Sequence, residues 1–190
     1  MGVEAALIAL GVVFVAELGD KSQLIALTFS ARSRRPLATL GGIAIACALL
    51  QAIAVGVGAA VSEALPERTI EIVAGVAFVA FALWALRGDD DDEDVDVVVP
   101  RSAARIAVAA GSAFFLAELG DKTQLATLTL ASTNGVLGTW IGAVAGQVAA
   151  DALAVVIGAT VGARMPERAL DLVSAGAFAL FGVLLLLGIG

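Results

Sequence analysis

The chain has 190 residues, of which 60% are hydrophobic, and its formal net charge is −7. Soluble domains are closer to about 45–50% apolar, so this composition predicts an integral membrane protein. There is no histidine and only one cysteine, Cys47, which excludes a disulfide framework and a His/Cys zinc site, and 11 basic against 18 acidic residues argue against binding of nucleic acid.

Six apolar stretches are each long enough to cross a bilayer, which takes about 20 residues. They cover residues 3–29, 37–62, 67–87, 102–131, 136–161 and 167–189. Residues 88–100 form an acidic linker with seven acids between positions 89 and 96. We interpret it as a solvated linker, or as an acidic loop that attracts cations or regulates the protein's activity. It divides the chain into two three-span units, residues 1–87 and 101–190.

The two units are copies of each other. Residues 16–31 match residues 117–132 with ten identities in sixteen positions, and residues 66–86 match residues 166–186. Because each copy crosses the membrane three times, the second copy begins on the opposite side from the first. The sequence therefore predicts an all-α integral membrane protein with six transmembrane helices in two inverted three-helix repeats, a plan typical of secondary transporters.

The positions of the arginines predict the orientation. Arg68 is the only arginine on one side of the predicted membrane, whereas the loops on the other side hold eight. The positive-inside rule places the second side in the cytoplasm together with the acidic linker, so that both termini lie outside. The eight arginines are Arg32, Arg34, Arg35, Arg87, Arg101, Arg105, Arg164 and Arg168.

The strings "ELGDKS" and "ELGDKT" place acids and a lysine deep in spans one and four. Each such charge costs at least about 2.5–3.5 kcal/mol at a helix centre, so a pattern that occurs twice needs a compensating role. On a continuous helix Glu17, Asp20 and Lys21 share one face, with Gln23 beside it. The glycine between the two acids allows close helix approach, or lets the helix unwind so that carbonyl oxygens face a ligand.

Together the copies contribute four carboxylates and two ammonium groups, a formal charge of −2 that matches one divalent cation. Without the cation, protons would take up part of this charge, which is the basis of a cation/proton exchanger. All the ligands on offer are oxygens, which suit Ca²⁺, Mn²⁺ and Mg²⁺. The predicted metal ligands are Glu17, Asp20, Glu118 and Asp121, supported by Lys21, Ser22, Gln23, Lys122, Thr123 and Gln124.

Two structural alternatives stay open at this point. Glu17 with Lys21, and Glu118 with Lys122, could form self-neutralising ion pairs at i, i+4 spacing, although Asp20 and its counterpart would then stay unpaired. Three further polar residues of spans two and five could line the transport pathway or hydrogen-bond neighbouring helices: Gln51, Gln147 and Asp151. Cys47 is interpreted as a small apolar filler.

The doubled Glu-x-Gly-Asp-Lys-(Ser/Thr) motif in a six-span repeat resembles the Gdt-type cation transporters of the second calcium/cation antiporter superfamily. The resemblance implies a carrier that exchanges Ca²⁺ or Mn²⁺ for protons and moves the metal out of the cytosol. It assigns the motif acids as metal ligands. The remaining motif positions are carried over as site residues: Gly19, Lys21 and Ser22, with Gly120, Lys122 and Thr123.

The resemblance further implies a multi-pass protein of a prokaryotic plasma membrane, since eukaryotic relatives carry an extra N-terminal segment. No prosthetic group is expected; the partners are lipid, divalent metal ions and protons, and an oligomer is possible. Coupling to Na⁺ and export of a small organic solute stay open as alternatives. An intramembrane enzyme is disfavoured because, without histidine, a metal-dependent catalytic site is hard to assemble.

Overall fold

The computed structural model describes residues 2–18, 20–85, 100–160 and 167–188. Gly19 and almost all of the acidic linker lie outside the described residues. Within the described ranges the regular structure is entirely helical, as the sequence predicts. The eight helices are α1 (Gly2–Glu17), α2 (Lys21–Ser33), α3 (Pro36–Ala64), α4 (Glu67–Ala85), α5 (Ala103–Glu118), α6 (Lys122–Asn134), α7 (Val136–Thr160) and α8 (Glu167–Leu187).

Two of these helices, α3 and α7, are long and apolar enough to cross a membrane by themselves. The pairs α1–α2 and α5–α6 qualify only if each pair is counted as one broken span, so the described chain holds two spans, or up to four. Helices α4 and α8 do not qualify over their described residues. Charged residues in the first turns of α4, Glu67, Arg68 and Glu71, shorten its apolar part.

Predicted spans one and four are not continuous helices. Helices α1 and α2 meet at a bend of 74°, and α5 and α6 at a bend of 75°. Both breaks lie at the repeated motif, where the amide of Asp20 bonds the carbonyl of Glu17 at 3.2 Å and the amide of Asp121 bonds that of Glu118 at 3.1 Å. Gly120 has φ +86°, a conformation that residues with a Cβ rarely adopt. The continuous helical face predicted for Glu17, Asp20 and Lys21 is therefore interrupted.

The first half of each broken helix packs on the long helix of the other copy. Against α7, Gly138 lies next to Gly2 and Gly142 next to Ala6, so that α1 and α7 run parallel. Against α3, the backbone of Gly42 touches that of Ala107, and a methyl group at either Gly42 or Gly142 would overlap the facing carbonyl. Because only glycine permits this backbone approach, the helices of the two copies pack closely against each other.

The long helices meet at the centre of the molecule. The thiol of Cys47 contacts Asp151, and one turn further along α3 the amide of Gln51 bonds Gln147. Residue numbers thus rise along α3 while they fall along α7, so the two helices run antiparallel where they meet. Buried apolar residues from both helices surround this contact, among them Ile43, Leu50, Ala154 and Val155.

Helices α4 and α8 form the second interface between the copies. Phe78 stacks on Phe178 with ring centroids 5.8 Å apart and meets Phe181 edge to face at 5.0 Å. At the end of α8, the guanidinium of Arg68 donates to the carbonyls of Leu185 and Leu186. A cation there satisfies the unpaired carbonyls of a helix C-terminus, which gives this isolated arginine a structural role.

Candidate metal centre

Three of the predicted metal ligands meet where the two helix breaks face each other. Glu17 ends α1, Asp20 precedes α2, and Glu118 ends α5, so both copies contribute. One carboxylate oxygen from each lies within 4.8 Å of the other two. Ca²⁺ binds oxygens at about 2.3–2.6 Å, so ligands of one ion are at most about 5.2 Å apart and this spacing fits a shared ion.

The two glutamates are withdrawn from the surface. Glu17 is 0% exposed and Glu118 is 3% exposed. Each is the last residue of its helix, where unpaired carbonyl groups give the helix end a partial negative charge. Two helix ends of partial negative charge next to each other stabilise a bound cation, and they disfavour ionised carboxylates that have no cation nearby.

A side-chain amide joins the glutamates. The Nε2 atom of Gln147, on α7, donates to Glu17 at 2.8 Å and to Glu118 at 3.4 Å. Ser22 adds a longer hydrogen bond to Glu17 at 3.3 Å. One amide therefore holds together two carboxylates that would otherwise repel each other, which is the usual task of residues that surround metal ligands.

Lys122 pairs across the copies rather than within its own. Its Nζ atom lies 2.7 Å from Asp20 and 5.4 Å from the ring centre of Phe178. The alternative of an i, i+4 pair with Glu118 requires a helix that continues through the motif, and the break removes that geometry. The side chain of Lys21 lies outside the described residues.

Asp121 stands apart from the other three acids. It is the N-cap residue of α6, without a side-chain capping bond, and its Oδ2 atom is buried with no hydrogen-bond partner. It does not share the 4.8 Å grouping of the other carboxylates. The structure thus brings together the carboxylates of Glu17, Asp20 and Glu118, while Asp121 lies at the second break and outside this group.

The other motif residues anchor the breaks. Gln23 donates to the carbonyl of Ala150 at 3.2 Å, which ties the start of α2 to α7. Gln124 donates to the carbonyl of Glu118 at 2.6 Å and closes the turn of its own motif. The hydroxyl of Thr123 is buried without a partner, unlike that of Ser22. The glutamines therefore fix the backbone that carries the carboxylates.

The three polar residues of uncertain role belong to one layer between α3 and α7. Gln51, Gln147 and Asp151 are each at most 1% exposed. Gln51 donates to Gln147 at 2.7 Å, and Gln147 in turn reaches the two glutamates. Among the described residues, Asp151 accepts a hydrogen bond only from the thiol of Cys47, at 3.7 Å. These residues connect helices and also lie next to the carboxylates. The two roles considered from the sequence, hydrogen bonding between helices and lining of the transport pathway, are therefore compatible.

Sequence reasoning missed two members of this neighbourhood. Cys47 is more than apolar filler, because its thiol is the hydrogen-bond partner of Asp151. Its alignment with Gln147 in the repeat was the signal that could have revealed this. Phe178 was not expected at the site, and its ring lies under the ammonium of Lys122. Nothing near position 178 in the sequence marks it.

One protein-family profile, described as "Divalent cation/proton antiporter GDT1", matches residues 5–93 and 106–189. A Vibrio cholerae protein named "Putative manganese exporter" is 33% identical over 180 residues, covering 93% of this chain and 87% of that protein. A GDT1-like protein of Synechocystis is 31% identical over 188 residues, with coverage of 89% and 90%. The chloroplast protein PAM71 of Arabidopsis thaliana is 29% identical, and the match covers 53% of its length. No solved structure matches.

Proposed function

The chain belongs to the GDT1 family of divalent cation/proton antiporters, and from this premise we propose that it exports Ca²⁺ or Mn²⁺ from the cytoplasm in exchange for protons. The observation that carries the proposal is the meeting of Glu17, Asp20 and Glu118, from both copies, in a space of 4.8 Å. Carboxylate oxygens at this separation fit the coordination of one bare divalent ion.

The membrane arrangement behind the proposal is six crossings in two inverted three-helix repeats. Helix pairs α1–α2 and α5–α6 each act as one broken span, and α4 and α8 complete the six. The antiparallel contact between α3 and α7 supports inversion, because a two-fold axis along the membrane normal would make these equivalent helices parallel. Broken helices whose ends face an ion near the midplane are a recurrent feature of inverted-repeat transporters.

The transport cycle follows from the charges at the site. A dication enters from the cytoplasm and replaces protons on the carboxylates, and the carrier then opens to the other side. After release, protons bind and the carrier returns. Lys122 stabilises Asp20 in the metal-free form, since a cluster of acids without a cation would otherwise be strongly disfavoured in the membrane.

Mn²⁺ is the first candidate substrate, because the Vibrio cholerae relative is named for manganese. Ca²⁺ uses the same oxygen ligands, and Na⁺ could replace H⁺ as the coupling ion without a change of ligand type. The proposed location is the plasma membrane, with both termini outside and the acidic linker in the cytoplasm. The relatives named above include bacterial proteins and a chloroplast protein. The proposed direction of metal transport is out of the cytoplasm.

Transport into proteoliposomes tests the proposal. With wild-type protein, an imposed pH gradient should drive uptake of radioactive Mn²⁺ or Ca²⁺, and Asp20→Asn should abolish it. Glu63→Gln is the matched control, since it removes one exposed acid near the end of α3, away from the carboxylate cluster. Wild-type uptake that does not depend on the pH gradient would contradict proton coupling. Full activity of Asp20→Asn would contradict the assignment of Asp20 to the metal site.

A further inference from the structure

Asp151 is a carboxylic acid that the proposed metal site does not use. It is 0% exposed, and its Oδ1 atom has no hydrogen-bond partner within the described part of the chain. Its Oδ2 atom receives a single weak hydrogen bond from the thiol of Cys47, at 3.7 Å. No lysine or arginine among the described residues forms an ion pair with it.

Two of the motif acids, Asp20 and Glu17, are better compensated than Asp151. Asp20 has the ammonium of Lys122, and Glu17 has the amide of Gln147 and the hydroxyl of Ser22. An ionised carboxylate that is buried with only a thiol donor has no comparable stabilisation. At this position the neutral carboxyl is favoured until a change in its surroundings makes the charge tolerable.

The repeat marks Asp151 as an addition to one copy. Its equivalent in the first copy is Gln51, and the equivalent of Cys47 is Gln147. The contact of Gln51 with Gln147 and that of Asp151 with Cys47 are thus the same contact in the two copies. One is a pair of neutral amides, which cannot take up or release a proton at ordinary pH, and the other contains an acid.

The charge balance also sets Asp151 apart. The four motif acids and two lysines carry a formal charge of −2, which one dication neutralises. Asp151 lies outside this sum, one turn along α7 from the Gln147 amide that joins the glutamates. Other titratable residues lie beside α7 in this layer: Glu17, Asp20, Cys47, Glu118, Asp121 and Lys122.

We propose that Asp151 is a proton-carrying residue of the transport cycle, separate from the metal ligands and responsible for one exchanged proton. This inference rests on the proposed function. When the carrier faces the external side without metal, a hydronium ion gives its proton to the Asp151 carboxylate. When the carrier faces the cytoplasm, the O–H bond breaks, the proton passes to a water molecule of the open cavity, and the carboxylate remains.

The test counts protons released when Mn²⁺ binds to purified protein, by calorimetry in buffers of different ionisation enthalpy. Asp151→Asn should release about one proton fewer per Mn²⁺ than the wild type, because Asn is permanently neutral, and the Mn²⁺ affinity should become correspondingly less dependent on pH. Gln51→Asn is the matched control at the equivalent position and should keep the wild-type count. An unchanged count in Asp151→Asn would overturn the proposal.

A second variant tests transfer of the acid to the other copy. In the double variant Gln51→Asp with Asp151→Asn, the acid sits at the equivalent position, and the wild-type count should return. The same proteins in liposomes, at a clamped membrane potential, give the dependence of the equilibrium Mn²⁺ gradient on pH. In Asp151→Asn, each unit of pH difference should change the equilibrium Mn²⁺ concentration ratio by a factor ten times smaller than in the wild type. An identical dependence on pH would again overturn the proposal.

The outcomes separate this inference from the proposed function. If wild-type protein binds no Mn²⁺, or shows no pH-driven Mn²⁺ flux, the proposed function fails. If the wild type binds and transports while Asp151→Asn matches it in proton count and in slope, only the role of Asp151 fails. Should Asp151→Asn be unstable, Cys47→Ser tests the same carboxyl group while Asp151 is kept. A hydroxyl in place of the thiol is the stronger donor and should move proton release to lower pH.

Discussion

The two motif turns have nearly the same sequence but different surroundings. In the first copy Glu17 is held by Gln147 and Ser22, and Asp20 is paired with a lysine of the other copy. In the second copy the Thr123 hydroxyl has no hydrogen-bond partner among the described residues, and one buried oxygen of Asp121 likewise has none there. The comparison teaches that the repeat duplicates the acidic side chains, whereas the helices packed around them decide which contacts each copy makes.

The largest expected contrast is between Asp20→Asn and Asp121→Asn. Asp20→Asn removes one carboxylate of the three-carboxylate group, which predicts Mn²⁺ binding at least about a hundredfold weaker. Asp121→Asn should act in the same direction but by about tenfold, because Asp121 is outside the three-carboxylate group. Calorimetry measures the Mn²⁺ affinity of both variants. If both bind Mn²⁺ as tightly as the wild type does, the predicted order is refuted.

Next in size is the effect of the glutamine that joins the glutamates. Gln147→Ala should weaken Mn²⁺ binding by about 10–100-fold, as is usual when a residue that orients metal ligands is lost. Gln51→Ala removes a group that contacts Gln147 and not the glutamates, so its effect should be smaller. A larger loss in Gln51→Ala than in Gln147→Ala would contradict the assigned order of contacts.

The lysines offer a third contrast, with the opposite sign. Lys122→Gln removes a cation that competes for Asp20, so Mn²⁺ should bind about tenfold more tightly and leave more slowly. The measurement is the affinity together with the rate of Mn²⁺ release from preloaded protein. Lys21→Gln, at the matching position, provides the comparison between copies. Wild-type affinity in Lys122→Gln would mean that the ammonium is not part of the charge balance.

The smallest contrast involves the hydroxyl groups. Ser22→Ala removes one long hydrogen bond to Glu17, worth about 1 kcal/mol, and should weaken binding about fivefold. Thr123→Val should stay within about twofold, because the Thr123 hydroxyl has no partner to lose. Parallel titrations with Mn²⁺ decide between the two, and an equal loss in both variants would show that the copies use their hydroxyls alike.

Much of this organisation could be predicted from the sequence. Hydropathy located α3 and α7 almost to the residue, because long apolar runs have few other structures available in a membrane. The duplicated motif predicted that carboxylates from both copies would converge, and three of them do. Helices α4 and α8 also begin at the predicted residues, but over the described residues neither qualifies as a membrane span, and charged first turns shorten the apolar part of α4.

The breaks and the asymmetry were harder to predict. A helical wheel assumes continuous helix, and only the glycine of the motif hinted that α1 and α5 would end at their glutamates. The cross-copy pair of Lys122 with Asp20 depends on tertiary packing and leaves no local pattern. Cys47 looked like filler because a lone cysteine among alanines has no periodic signal, although its contact with Asp151 defines the layer.

The central claim is that carboxylates of both copies form one cation site, and diffraction from crystals soaked in Mn²⁺ tests it most directly. The account predicts a single anomalous peak within coordination distance of Glu17, Asp20 and Glu118 together. A peak bound only by acids of one copy, or two separate peaks at the two helix breaks, would contradict it.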